Sequence, residues 1–167
     1  MPGLKRAGLL FEATNPQWIT SANANRSLAK DLGLSLNIYG VHNLEEIRHA
    51  FTAFERQRLQ ALVVWVSPLL LLHRRDIMNW ASHKLPVIGE GPEWAESGAI
   101  VTYSADYIGM WRHAAVQVNK ILRGAKPGDL PIEQPTKITL RVNLRSARDL
   151  GITIPKTILV QADEVIQ

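Results

Sequence analysis

The chain has 167 residues, with 19 Lys and Arg against 15 Asp and Glu, a formal net charge of +4 and no cysteine. At 46% hydrophobic and 20% charged it is globular in composition and long enough to bury a core, which excludes disordered, collagen-like and low-complexity chains. The absence of cysteine excludes disulfide scaffolds, thiolate metal sites and cysteine nucleophiles, and the basic excess is spread without a run of like charges, so no nucleic-acid partner is expected.

In chain order, Arg6 to Phe11 is a short apolar run and predicts a buried strand. Asn15-Pro16 supplies a helix cap followed by proline at the first helical position. Trp18, Ala22, Leu28, Ala29 and Leu32 then recur at helical spacing up to Gly33. Ser35 to Val41 reads as the second strand. Asn43 caps a second helix with Glu45 and Glu46 in its first turn and Arg56 and Arg58 in its last, an order that suits the helix dipole. Leu44, Ile47, Phe51 and Phe54 make its buried stripe. Ala61 to Val66 is continuously apolar, as strands buried on both faces of a parallel sheet are.

Ser67-Pro68 opens a third helix expected to end near His83, and Leu85 to Gly89 is a fourth strand. Gly89, Gly91 and Pro92 force a turn before a fifth strand, Ala99 to Tyr103. Asp106 caps a helix that carries Tyr107, Trp111, Ala114, Ala115, Val118 and Leu122 on one stripe and stops at Gly124. Lys126 to Pro135 is an extended connection. Thr136 to Asn143 alternates, with Ile138, Leu140 and Val142 inward and Thr139 and Arg141 outward. Leu144 to Leu150 is a short helix ended by Gly151, and Ile158 to Val160 reads as a last strand. No apolar run reaches the ~18 residues that span a bilayer. The first ten residues lack the apolar core and cleavage site of a signal peptide.

This alternation predicts a Rossmann-like, doubly wound, mostly parallel α/β sheet, which places a ligand beyond the carboxyl ends of its strands. The segments to inspect are Glu12 to Gln17, Ser67-Pro68, Gly89 to Glu93 and Ser104 to Asp106. The first strand-helix turn has no glycine, so it cannot let backbone close on a pyrophosphate, and no cofactor is expected. A response-regulator site needs an acid at the end of the third strand, where Ser67 stands. The five histidines form no metal-ligand pair with an acidic partner, so no metal is expected. Ser27-Leu28-Ala29-Lys30 matches Ser-x-x-Lys by chance, late in a helix and without its companion motifs. Ser67 sits where a nucleophile elbow would, but Pro68 offers no oxyanion-hole N–H, so Ser67 is a helix cap or a ligand hydrogen-bonder. Trp65 and Trp111 are assigned to the core, while Trp18 and Trp94 are either packing or ligand contacts. What is left is a set of small polar groups at strand ends, suited to holding a small polar molecule rather than transforming it.

From Leu62 onward the chain resembles a known family. The helix ending Lys120-Ile121-Leu122-x-Gly124 is followed by Pro127-x-x-Leu130-Pro131-x-Glu133-Gln134-Pro135. Then come Asn143-Leu144, Gly151-Ile152-x-Ile154-Pro155 and the closing Ala162-Asp163-Glu164-Val165-Ile166. These look like the substrate-binding component of bacterial ABC uptake systems, in the tryptophan/tyrosine-type branch of periplasmic binding proteins. The resemblance implies that this chain is the second lobe of a two-lobed clamshell, with residues 1–98 and 126–167 as the lobe and residues 99–125 as a crossover that packs toward a first lobe. It implies a small organic solute such as an amino acid, an ABC permease as partner and a periplasmic location. Its cleft-facing positions fall on Ala13, Thr14 and Asn15, with Gln17 beside them, on Ser67 and Pro68, and on Tyr103 and Asp106. Ser67 stands where many members carry Asp. An uncovered Tyr107, Trp111, Ala114 and Val118 face predicts self-association, with a homodimer as one form of it. The alternatives are a small hydrolase-like α/β enzyme using Ser67 and a ligand-sensing regulatory domain.

Overall fold

The computed structural model describes residues 3–81, 84–134 and 137–167. The helix end expected near His83 and the strand start at Thr136 lie outside them. Strand β1 (Arg6–Glu12) is followed by α1 (Pro16–Asp31), β2 (Ser35–Val41), α2 (Leu44–Gln57) and β3 (Ala61–Val64). Then come α3 (Pro68–Leu72), α4 (Arg74–Ala81), β4 (Val87–Gly89), α5 (Pro92–Glu96), β5 (Val101–Ala105) and α6 (Tyr107–Leu122). A short 3-10 turn at Pro127–Asp129 leads to β6 (Ile138–Asn143), α7 (Leu144–Asp149), α8 (Lys156–Gln161) and β7 (Glu164–Ile166). The strands form one sheet in the order β2-β1-β3-β4-β5-β6-β7. The first five are parallel, β6 runs antiparallel to β5, and β7 is parallel to β6.

Local chemistry explains the element boundaries. The Asn15 carboxamide oxygen accepts from Gln17 N at 2.9 Å, with Pro16 inside the first turn of α1. At the start of α2, Asn43 accepts from Glu46 N at 2.9 Å and the Glu46 carboxylate reaches back to His42 N at 2.9 Å. That reciprocal arrangement occupies donors that the first helical turn cannot. The hydrogen bonds from His42 hold the Glu46 carboxyl below its ordinary range.

The two sheet faces are covered unequally. Side chains from β1, β2 and β3 pack with α2, α3, α4 and Trp94 of α5 in the main core, around Leu10, Ile47, Phe54, Leu62, Leu70 and Ile77. On the opposite face α1 closes over Leu9 and Phe11 through Ala22, with Trp18 and Trp65 half-buried beside them. That cover stops at β3. Val63, Ile88 and Val101 on the same face are only half-buried and Tyr103 is 59% exposed.

Several expectations need correction. Leu44 is exposed, and the α2 stripe is completed instead by Ala50. The single helix after Ser67 is two, because His73 leaves helical geometry at φ −98°, ψ 15° while its carbonyl accepts from Ile77 N to start α4. The turn at Gly89 to Pro92 contains α5. Gly91 takes φ 107° so that Pro92 can begin the helix, and Trp94 is fully buried against Gly89. On β6, Thr139 is buried and Ile138 half-exposed, the reverse of what was expected of these two, while Val142 is buried as expected. The antiparallel register sets Thr139 opposite Ser104 on the covered face and Ile138 opposite Ala105 on the open one. Residues 158–160 are helical, and the last strand comes later, because a parallel partner for β6 requires a crossover. Trp111, assigned to the core, is 76% exposed, and α6 buries no residue at all.

A Cβ at Gly89 would lie 2.3 Å from the Trp94 Cβ. Gly89→Ala is therefore expected to destabilise the chain by about 1–3 kcal/mol, read from urea unfolding, because neither backbone nor a buried indole can move aside cheaply. Asn43→Ala is expected to cost about 1 kcal/mol through the lost cap of α2.

Candidate functional site

In parallel register Leu10 pairs with Val64, Val64 with Gly89 and Gly89 with Thr102. Four neighbouring strands therefore point the same way, β3 and β4 ending at this level and β1 and β5 running slightly past it, and their connecting loops share one edge of the sheet. At this edge Ala13 N donates to Val41 O at 2.9 Å, fixing the start of the first loop. Thr14 and Gln17 are exposed on it, and Asn15 is partly buried at the head of α1.

Two carboxylates, neither of them singled out by the sequence as a binding group, organise the edge. Glu12 Oε1 accepts from the Thr14 hydroxyl at 3.2 Å, and its Oε2 accepts from Leu69 N at 3.3 Å. Glu90 Oε2 accepts from Val66 N at 3.3 Å, and its Oε1 accepts from the Tyr107 hydroxyl at 3.0 Å. The β3–α3 loop and the first turn of α3 are thus held from both sides, by the end of β4 and by the end of β1. Burial, followed by the Glu90 charge and hydrogen bond, pushes the Tyr107 phenol up to about 12.

The remaining candidate residues sort by orientation. Ser67 is 3% exposed and its Oγ accepts from Leu70 N at 3.2 Å, so of its two expected roles the structure gives the helix cap. Pro68 follows it, exposed at the first position of α3. Asp106 caps α6, accepting from Gly109 N at 3.0 Å, with Lys137 Nζ 3.8 Å away. The Gly109 hydrogen bond, aided by Lys137, Arg112 and Arg141, holds this carboxyl below its usual range. Tyr103 lies level with Phe11, Trp65 and Glu90, on the open sheet face rather than on a loop tip. Ser104 turns the other way, and its buried hydroxyl has no hydrogen-bond partner among the described residues. Thr14, Asn15 and Gln17 were legible from the strand-end rule. The same rule marked Gly89 to Glu93, but Glu90 as the anchoring side chain was not legible, because Gly89-Glu90-Gly91-Pro92 reads as a turn.

Neither of two cavities in the structure, one along β2 and one between α4 and α7, is lined by these residues. Among the described residues no group of three His, Asp or Glu could hold a metal ion, and no helix is long and apolar enough to cross a membrane. Trp111 and Leu122 are 76% and 81% exposed on α6, whose ties to other segments include Tyr107 to Glu90 and the pair His113 and Gln117 to Glu133, at 2.9 and 3.3 Å.

The family model for ABC transporter substrate binding proteins matches residues 1–166. The chain belongs to that family. No curated protein matches this ABC substrate-binding chain in sequence. Among solved structures, a conserved domain protein from Vibrio cholerae O1 biovar El Tor superposes with a TM-score of 0.86 at 22% identity, over 99% of this chain and 56% of that one. A Streptococcus pneumoniae ABC domain in complex with L-Trp gives 0.85 at 23% identity, over 99% and 58%. The ligand-free, open form of a substrate-binding protein with adhesive properties from Clostridium difficile gives 0.72 at 18%, over 99% and 56%. At these identities the likeness is one of fold. The chain spans a little over half the length of each of these three structures.

Glu90→Gln removes the nearest negative charge from the Tyr107 phenol and is expected to bring its titration down from about 12, still above the ordinary 10.0 because burial remains. Tyrosinate absorbance against pH measures it. Because the folded value is raised, the stability carried by the neutral phenol is complete below pH 10.0 and lost as pH climbs toward about 12.

Proposed function

We propose that this chain forms one wall of a two-lobed clamp that holds a small organic solute, such as an amino acid, at the carboxyl edge of the sheet and presents it to an ABC permease in the periplasm. The carrying observation is the polar edge itself. Thr14, just past β1, and Gln17 and Pro68, in the first turns of α1 and α3, lie exposed beside the segments that Glu12 and Glu90 hold in place, and neither the groove along β2 nor the cavity between α4 and α7 is lined by them. A wall that is shaped but not enclosed suits a solute gripped from a second side. The unburied stripe of α6 and the open sheet face around Ile88, Val101 and Tyr103 fit a first lobe, with residues 99–125 as the crossover toward it. The L-Trp complex of the pneumococcal relative supports an amino acid as the class of solute.

The role is binding without chemistry. The Ser67 hydroxyl is buried and serves as a helix cap, and no described base is bonded to it. Ser67→Ala is accordingly expected to lower stability by about 1 kcal/mol in urea unfolding, with no ester or phosphate turnover to abolish. A Ser67-dependent hydrolysis would overturn the binding reading. Titration of the labelled chain with L-amino acids, followed by amide shifts, is expected to show weak binding, since one wall supplies only part of the enclosure. The shifts should fall on residues 13–17, 66–69 and 90–91. Saturable binding whose shifts avoid all three loops would reject this site.

A further inference from the structure

Strand β2 is an edge strand, and its outward side carries unused pairing capacity. Ser35 N donates to Lys5 O and Val41 O accepts from Ala13 N, so residues 35, 37, 39 and 41 address β1. By the alternation of a strand, the backbone groups of Leu36, Ile38 and Gly40 point away from the sheet. Natural edges are blunted by proline, lysine, bulges or a covering segment. The stretch Ser35–Val41 contains no proline and no charged residue, and among the described residues it pairs with β1 alone. A groove of about 750 Å³ runs along it instead, floored by residues 35–39 and walled by Arg26 and Lys30 of α1 and Gln57 of α2. Its described lining holds two cations and no carboxylate.

We propose that this groove takes an extended acidic segment of a partner protein, which adds to the sheet as a strand beside β2. Main-chain hydrogen bonds to Leu36, Ile38 and Gly40 supply the pairing, and alternate acidic side chains on the α1 side meet Arg26 and Lys30. A second copy of this chain fits worse. Antiparallel pairing of two β2 strands about a two-fold axis brings α1 against its own copy on one face, so that Arg26 and Lys30 confront Arg26 and Lys30. The surface lies at the far end of the strand order from β5 to β7 and is independent of the solute-binding edge.

The probe is an acetylated, amidated six-residue peptide of alternating Glu and Val, fluorescently labelled. Its controls are the Gln-Val equivalent and a Glu-Val peptide N-methylated at alternate amides. Binding is read by anisotropy and by amide hydrogen exchange on the whole chain. The expected result is saturable binding that weakens with salt, with slowed exchange at Leu36, Ile38 and Gly40. The Arg26→Glu, Lys30→Glu double variant should weaken it by about tenfold or more, as two exposed ion pairs become repulsions. Both positions are exposed surface sites, and unchanged exchange at the amides facing β1 verifies the fold of the variant. No saturable binding, equal binding of the Gln-Val or N-methylated peptide, or indifference to the charge reversal would each overturn the proposal. So would concentration-dependent protection of the same three amides without peptide, which would assign the edge to a second copy.

Discussion

Shared register is the constraint on which the rest of the structure depends. Because β1, β3, β4 and β5 run parallel with Leu10, Val64, Gly89 and Thr102 at one level, their ends and loops are forced to the same edge. Nothing in those loops needs regular structure of its own. They need anchors, and Glu90 and Glu12 provide them by accepting backbone N–H groups of the β3–α3 loop and of the first turn of α3. A carboxylate is well suited to this, since it takes two donors in different directions and makes a stronger bond than a neutral acceptor. The same two side chains therefore shape the polar edge and tie it to strands at the centre of the sheet.

The asymmetry of the two faces follows from chain direction. Right-handed crossovers carry α2 to α5 to one side of the sheet as the chain steps from β2 to β5, and α1 to the other. One helix cannot cover a sheet that extends to β7, so the face over β4, β5 and β6 depends on something beyond α1. The helix that follows β5 leaves instead of folding back, and its apolar stripe stays unused. In the clamp proposed above, both features belong to one arrangement: a lobe whose cover and whose own outgoing helix are matched to a neighbour. The second copy foreseen from the Tyr107, Trp111, Ala114 and Val118 stripe would meet the same need, and in the clamp reading a first lobe meets it.

Much of this was legible in the sequence wherever local chemistry is decisive. Asn15-Pro16, Asn43 with Glu46, Ser67-Pro68 and Asp106 each mark a helix start, and the structure finds a cap bond at all four. The doubly wound, mostly parallel sheet was implied by alternation and by the unbroken apolar run of β3, while the order of its strands comes from the structure. What escaped depends on distant partners. The five residues of α5 are too few to show a period, and their Gly-Pro preface looks like a turn. Ile158 to Val160 has strand-like side chains but sits in the crossover that the parallel pairing of β7 with β6 requires, and there it is helical. Glu90 belongs to the edge only because β4 ends level with β3. The stripe of α6 has the same spacing whether it is to be buried in a core or offered to another body, because periodicity reports that a helix has two faces and not what meets the apolar one.

That last helix has a consequence for order itself. A lone helix of 16 residues sits near the limit of what water allows to persist. Here it is held at the foot by the Asp106 cap and the Tyr107 hydroxyl, and halfway along by Glu133. Beyond that point Val118 and Leu122 are 53% and 81% exposed, and no residue of the last turns is buried. A body that settles onto Trp111 and Leu122 would therefore bury apolar surface and shield the last turns of a helix that is already formed, which lowers its tendency to fray.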